Sequence, residues 1–475
     1  MAGVTRPLLH LTPTTGWMND PNGLTQSGGV HHVFFQHNPD APTFGTMRWG
    51  HATSPDLVHW TEHPTALSPR AGGPDAGGCW SGCAVDVAGG SAAVIYTGVQ
   101  RPEDGGPQRA VALRAVSEDA SLVSWQPDAE AVIADWPELD PPLTDWRDHA
   151  VLRPGDLDGQ LGWRQVVAAG TAGHDGAGKL LSYTTTDPEL RDWAYEGVFL
   201  DAAAAGLDAH VFECPDVFAP VGDGPGQLDG ADLVVVLSWY SKDPAAELHH
   251  SSGAVWLTGR LASEEDGAPA RFVPERRGAL DLGSRFYAPQ SYTTADRDRR
   301  IAFGWLRTQD DPASAGRTSV GAQSLPRHWR VVGGRLQQAP VAEVSGLAGD
   351  VVVETDELSG AGVLDEPAQA VVVHLAVDDA RALAASTLVL VSPEGRRTVV
   401  DLSAFGRPTT ERLVDGAWTP EETRVRWADV YVDTGIVEVF ASDGRAAATS
   451  DLAVSAVAAV EATGPARASV RVLTP

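Results

Sequence analysis

Short runs of Val, Ile, Phe, Tyr and Trp, separated by Gly, Pro, Asp and Asn, dominate the first part of the chain: "HHVFFQHNP", "AAVIYTGV", "RQVVAAGTAG", "ADLVVVLSWY", "GAVWLTGRL" and "RIAFGWL". Such runs predict strands, and few segments carry a helical period. A weak repeat lies within them. "TSPDLVHW" ends at Trp60, "SEDASLVSW" at Trp125 and "TTDPELRDW" at Trp193, so the repeat Trp residues are 65 and 68 residues apart. A Ser/Thr strand end, an acidic turn and a closing Trp, recurring at a near-constant period in an all-strand chain, predict radially arranged sheets, one propeller blade per unit. If the repeats end near residue 340, a period of about 66 residues predicts roughly five blades, each longer than usual. Beyond "GGRLQQAPVAEVSGLAGD" the aromatics thin out, and "AVVVHLAV", "STLVLVS", "RVRWADVYVD" and "IVEVFASDG" alternate as strands of a compact β-sandwich. The expectation is therefore an all-β chain: an N-terminal five-bladed β-propeller over residues 1–342 and a C-terminal β-sandwich over 350–475, the boundary falling between 340 and 350.

Composition narrows the partners. The 475 residues are 43% hydrophobic and 21% charged, which fits a globular chain of two domains. A formal net charge of −28 repels nucleic acid and anionic membranes, leaving a neutral small molecule as the better ligand. The opening "MAGVTRPLLHLTPTTGW" holds only a two-Leu apolar patch between prolines, and the three cysteines, Cys79, Cys83 and Cys214, are an odd set. Both features point to a cytoplasmic protein without a disulfide framework.

Three acidic motifs are candidates for chemistry. "GWMNDPNG" sets Asn19 and Asp20 before a Pro-Asn-Gly turn. Those residues build tight turns on their own, but Trp17 and Met18 beside them fit a carboxylate held against an apolar wall. "DWRDHAV" places Arg147 next to Asp148. Adjacent strand residues face opposite ways, so Arg147 is free to orient a different carboxylate. In "VFECPDVF", Glu213 lies in a run suited to a buried strand, where apolar surroundings raise a carboxyl pKa and make a proton donor. The three carboxylates fall in three different repeat units, and a propeller brings its inner strands to one axis. Paired carboxylates in one funnel permit glycoside hydrolysis, retaining or inverting according to their separation. Other chemistries find little support: there is no H-E-x-x-H, P-loop or G-x-S-x-G elbow. "DLDG" from Asp156 begins like a calcium loop but has Val167 where the closing Glu belongs, and His31-His32 and His249-His250 are isolated pairs. No metal and no cofactor are implied.

With those motifs in order, the chain resembles glycoside hydrolase family 32, the invertase, levanase and inulinase group. "WMNDPNG" is similar to the family's nucleophile motif, and "RWGHATSPDLVHW", "WSGCAV", "RDH", "FECPD", "FYAPQS", "FGWL", "SLPR" and "VEVFASDGR" are similar to its later landmarks. The resemblance implies the propeller-plus-sandwich fold and a retaining mechanism acting on a β-fructofuranosyl unit. By motif position it makes Asp20 the nucleophile, Glu213 the acid/base and Asp148 the stabiliser of the transition state. Asn19, Gln36, Trp80, Ser81, Arg147, Tyr287 and Trp305 would line the fructose subsite, with Phe44 standing where many relatives have Trp. Hydroxyl-bonding and aromatic side chains suit a neutral sugar. One departure is plain: the family's Arg-Asp-Pro reads Arg147-Asp148-His149, which adds an imidazole expected close to the pocket. The implied activity is release of terminal fructosyl units from sucrose or fructans. A fructosyltransferase would use the same carboxylates, and a non-catalytic sugar-binding propeller would need neither nucleophile nor acid.

Overall fold

The computed structural model describes residues 6–86, 92–100, 108–117, 119–156, 162–173, 176–220, 233–242, 249–263, 269–307, 317–355, 361–378, 380–421, 425–442, 444, 446–451, 455–463 and 466–475. Most of "DLDG" and the Asp443 and Arg445 of "VEVFASDGR" lie outside the described residues, as do the side chains of His249 and His250. Among the described residues the regular structure is nearly all β, with short helices such as Ala202–Ala205 and Ala380–Ala385.

Up to residue 340 the strands form antiparallel meanders. The first runs Gly16–Ser27, Val30–Asn38, Arg48–Ser54 and Thr61–Leu67; the second Gly78–Asp86, Ala92–Gln100, Arg109–Ser117 and Trp125–Pro127. A third begins at Leu143–Leu152, a fourth at Val211–Phe218, and the two are joined by the Gly170–Val211 pairing. The last begins at Phe286–Thr293. The leading strands of these meanders, here termed inner strands, touch one another in sequence, and the fifth returns to the first. The short Ser319–Val320 strand pairs parallel with Gly16–Trp17, so late chain is stitched onto the first sheet. Gly16 permits this closure: its φ is +81°, and a Cβ there would lie 2.1 Å from the Asn38 carbonyl oxygen.

The repeat has a physical basis in one turn. Leu57, Leu122 and Leu190 all adopt the left-handed conformation, with φ of 62°, 55° and 59°, each three residues before a repeat Trp. An Asp in each turn, Asp56, Asp119 or Asp187, accepts backbone N–H bonds from residues just after it. Trp125 and Trp193 donate from Nε1 back to the Leu122 and Leu190 carbonyls, both at 2.9 Å. Local side-chain bonds of this kind hold a backbone that Leu would otherwise avoid. These turns sit between the third and fourth strands of the first three meanders.

Beyond residue 345 a six-stranded and a four-stranded sheet enclose an apolar core that includes Val371, Val373, Leu388, Leu390, Val430 and Val439. The hairpin Thr410–Val414/Ala417–Glu421 leaves this region and pairs with the edge strand Arg271–Ala279 of the fourth meander. A shared core also joins the two parts, with Leu9, Leu11, Met18 and Phe35 packed among Val372, Tyr431 and Phe440.

Within that contact lies a sealed charge network. The His10 ring bonds Asp433 at 2.8 Å and Glu438 at 3.0 Å, while Arg327 contacts Asp281 at 3.0 Å and also Glu438. Burial alone would lower the His10 pKa, but the two carboxylates reverse this and push it up to about 9. Arg327→Met is expected to cost about 3–5 kcal/mol, because it strands buried carboxylates without their cation; a chemical denaturation curve measures this. His10 is protonated in the fold above its ordinary value of 6.5, so its stabilisation is complete below 6.5 and is lost as pH rises through about 9. Melting temperature followed from pH 6 to 10 should therefore fall more steeply in the wild type than in His10→Gln.

Candidate active site

A strand that kept strict alternation would point neighbouring side chains to opposite faces. Each inner strand breaks that alternation at one level. Pairing shifts register between Met18 and Pro21 in the first inner strand and between Trp80 and Gly82 in the second. In the third it slips around Asp148, in the fourth between Glu213 and Asp216, and in the fifth between Tyr287 and Gln290. Asp148, Cys214 and Ala288, all at these slips, have φ of 58°, 45° and 49°. Bulges of this type re-aim side chains. As a result Arg147 and Asp148, though adjacent, both line one cavity of about 640 Å³.

All eleven residues singled out in the sequence line this cavity: Asn19, Asp20, Gln36, Phe44, Trp80, Ser81, Arg147, Asp148, Glu213, Tyr287 and Trp305. Asp20 Oδ2 accepts from Ser81 Oγ at 2.8 Å, and Oδ1 from Asn19 Nδ2 at 3.1 Å. Asn19 is itself set by Trp17 Nε1, which donates to its Oδ1 at 2.9 Å. Asp148 Oδ2 accepts the Cys214 backbone N–H at 2.9 Å, and the Cys214 sulfur lies 3.4 Å from both Asp148 Oδ2 and Asp20 Oδ2. Burial raises the pKa of Asp20 against the pull of Ser81 and Asn19, and pushes Asp148 up to about 7 against the pull of Arg147.

The setting of Glu213 differs from the apolar one expected. Arg147 Nη2 donates to its Oε1 at 2.8 Å and Tyr287 Oη to its Oε2 at 2.5 Å. Arg147 also bonds Asp145 through Nη1 at 2.9 Å, so it orients carboxylates other than its neighbour Asp148. Phe44 projects at the rim, 58% exposed, edge-on to Trp80, and Trp17 meets Trp305 edge to face at 5.9 Å.

His149 does not reach the pocket. It is buried between its own strand and the next, with Nδ1 2.7 Å from Gln165 Nε2 and its ring edge-on to Trp146. The bulge ends at Asp148, alternation resumes, and the imidazole turns into the sheet packing.

Other residues, in the cavity wall or directly behind it, escaped the sequence reading. Asn22, fully buried, donates to Ser81 Oγ at 3.2 Å and accepts from Gln36 Nε2 at 2.9 Å when its amide is oriented to suit its neighbours. Trp136, Tyr240, Ser252 and Arg307 come from outside the inner strands and share no motif, so only the fold gathers them. A smaller cavity of about 340 Å³ borders later residues of the same inner strands, where buried Asp216 is paired with Arg300 at 3.0 Å. Among the described residues its carboxylates are Asp156 and Asp216.

Several carboxylates on a pocket rimmed by Trp and hydroxyl groups are the equipment of a glycoside hydrolase. The family model described as "Glycosyl hydrolases family 32 N-terminal domain" matches residues 10–340, and the chain belongs to that family. It is a glycoside hydrolase acting on fructosides. It is 32% identical over 466 residues to a sucrose-6-phosphate hydrolase of Escherichia coli, covering 94% of this chain and 88% of the relative. A raffinose invertase of Escherichia coli is also 32% identical, over 471 residues, with the same coverage of 94% and 88%. Among solved structures, the Bombyx mori GH32 beta-fructofuranosidase BmSUC1 superposes with a TM-score of 0.75 at 23% identity, covering 98% of this chain and 93% of that one.

Ser81→Ala removes a 2.8 Å donor to a buried carboxylate. Such a bond is worth about 1.5–3 kcal/mol, so kcat/KM on a cleaved fructoside should fall at least about tenfold, with the melting temperature little changed.

Proposed function

We propose that the protein is a retaining β-fructofuranosidase that releases terminal fructosyl units from sucrose or short fructans. The observation that carries this reading is the opening of Asp20, Asp148 and Glu213, from the first, third and fourth inner strands, into one cavity. We read the closed ring of inner strands as a five-bladed β-propeller over residues 1–342 and the two C-terminal sheets as a β-sandwich over 350–475.

Asp20, oriented by Ser81 and Asn19, attacks the anomeric C2 of the fructosyl unit. Glu213 protonates the departing oxygen, and the fructosyl group passes to an Asp20 oxygen as a covalent intermediate. Glu213, now a carboxylate, takes a proton from water, which attacks C2 and frees Asp20. Asp148 binds fructosyl hydroxyls and steadies the positive charge that builds on the ring. Asn19, Gln36 and Ser81 bond sugar hydroxyls, while Trp80, Trp305 and Phe44 meet its apolar faces. Arg147 and Tyr287 hold Glu213 in place. Relatives named for sucrose 6-phosphate and for raffinose support a fructosyl donor and leave the group attached to it open.

Incubation of the full chain with sucrose, sucrose 6-phosphate, 1-kestose, inulin and levan, with products separated by chromatography, tests the activity and identifies the leaving group. Fructose is the expected product, and transfer products dominating at high substrate would favour a fructosyltransferase. Asp20→Asn should abolish turnover, and Glu213→Gln should lower kcat by about 10²–10⁴-fold. NMR of the first-formed sugar should show β-fructofuranose; the α-anomer would exclude the retaining mechanism.

A further inference from the structure

Arg307 stands at the end of the strand Arg300–Leu306 and lines the cavity without belonging to any inner strand. Its guanidinium carbon lies 4.5 Å from the centroid of the Tyr287 ring. Nη1 donates to Ser252 Oγ at 2.8 Å, Nη2 donates to the Ser284 carbonyl at 3.2 Å, and the backbone N–H donates to the Arg285 carbonyl at 2.9 Å. Two hydrogen bonds thus fix the guanidinium over the ring, and the third anchors the backbone that carries it. On the far end of that ring, the phenol hydroxyl donates a hydrogen bond to Glu213 Oε2 at 2.5 Å.

The charges around Glu213 fall into two opposed groups. Asp20 on the first inner strand and Asp148 on the third repel a Glu213 carboxylate, while Asp145 binds Nη1 of Arg147. Arg147 on the third inner strand, the Tyr287 hydroxyl on the fifth and Arg307 favour it; Tyr240 lies beside Arg147 at 3.4 Å. The second inner strand offers Trp80 and Ser81 and no charge. A group that must donate a proton and then reclaim one works best with its pKa near the operating pH. Too much repulsion would leave it unable to act as base, and too much attraction unable to act as acid.

We infer that Arg307 is a positioning residue for the acid/base: stacked on Tyr287, it holds the ring on Glu213 and polarises the hydroxyl toward the carboxylate. The inference rests on the fructosidase reading for the role of Glu213, and on geometry for the coupling itself. A cation on a ring face is attracted by the ring quadrupole and draws electron density from the phenol, strengthening it as a donor. Burial lowers the Arg307 pKa, and Tyr287 and Glu213 pull against that shift.

The experiment is a pH profile of kcat/KM for the full chain, its Arg307→Met and Arg307→Lys variants, on whichever fructoside the wild type cleaves. Loss of the cation stabilises protonated Glu213, so the alkaline limb in Arg307→Met should move up by about half a pH unit. Arg307→Lys, which keeps the charge but not the planar stack, should recover part of that shift. A limb that stays in place while kcat/KM falls, or that moves down, overturns the inference, because a purely structural or substrate-binding role changes the rate alone. A difference infrared titration of the Glu213 carboxylate, with Glu213→Gln as blank, reads the same shift without turnover. An upward shift there in a protein that cleaves no fructoside would sustain the coupling and refute the activity, whereas an unmoved carboxylate would refute the coupling.

Discussion

The site depends on five interruptions of strand pairing placed at one level around a ring. A regular strand presents every second side chain to a given surface, so five regular strands would offer the axis at most one residue per step. The slips at Asn19–Asp20, Ser81, Asp148, Cys214 and Ala288 remove this limit. They allow Asp20 to share the cavity with Asn19, Asp148 with Arg147, and Glu213 to stand over Cys214, whose backbone N–H binds Asp148. Left-handed backbone at Asp148, Cys214 and Ala288 is unfavourable for side chains of these kinds, and bonds from neighbouring strands hold it. Asp148 N–H donates to Thr97 Oγ1 and Ala288 N–H to Ser238 Oγ, both at 2.9 Å.

Crowding carboxylates at the axis raises an electrostatic cost that the same geometry offsets. Burial first, then repulsion from Glu213, raises the pKa of Asp20 and of Asp148. Each has donors aimed at it: Ser81 and Asn19 for Asp20, the Cys214 amide for Asp148. Glu213 is bracketed by a cation and a phenol instead, which distinguishes it from the other two. Three acids of one chemical type thus acquire separate environments within a single pocket, and separate environments are what let carboxylates play different parts in one reaction.

The inner ring is also braced from outside. The segment that leads into the first inner strand carries Leu9, His10 and Leu11, which dock on the C-terminal sheets. Backbone N–H groups of Leu8, Leu9 and His10 donate to Asp433, and Glu438 joins His10 to Arg327. The strand that bears Asp20 is therefore tied at its start to the second half of the chain, and late sequence pairs with its first residues. This gives the C-terminal sheets a part in holding the site although none of their described residues lines it.

Much of this was legible in the sequence. Strand runs and the Leu-x-x-Trp turns are local signals, because turn chemistry and alternation act over a few residues. Asp20, Asp148 and Glu213 were legible as candidates for the same reason, and the three line one cavity. What lay beyond reach was direction. The sequence around Arg147 gave no sign that a bulge would turn it and Asp148 the same way, or that His149 would then face inward to Gln165. Nor did the apolar flanks of Glu213 reveal that Arg147 and Tyr287, 66 residues before it and 74 after, would surround it with donors. By itself the sequence determined which elements form and which side chains are candidates for chemistry, since those follow from neighbours along the chain. Only the tertiary structure decided which way each acid points and what faces it, because bulges and cross-strand hydrogen bonds form between segments that the chain keeps far apart.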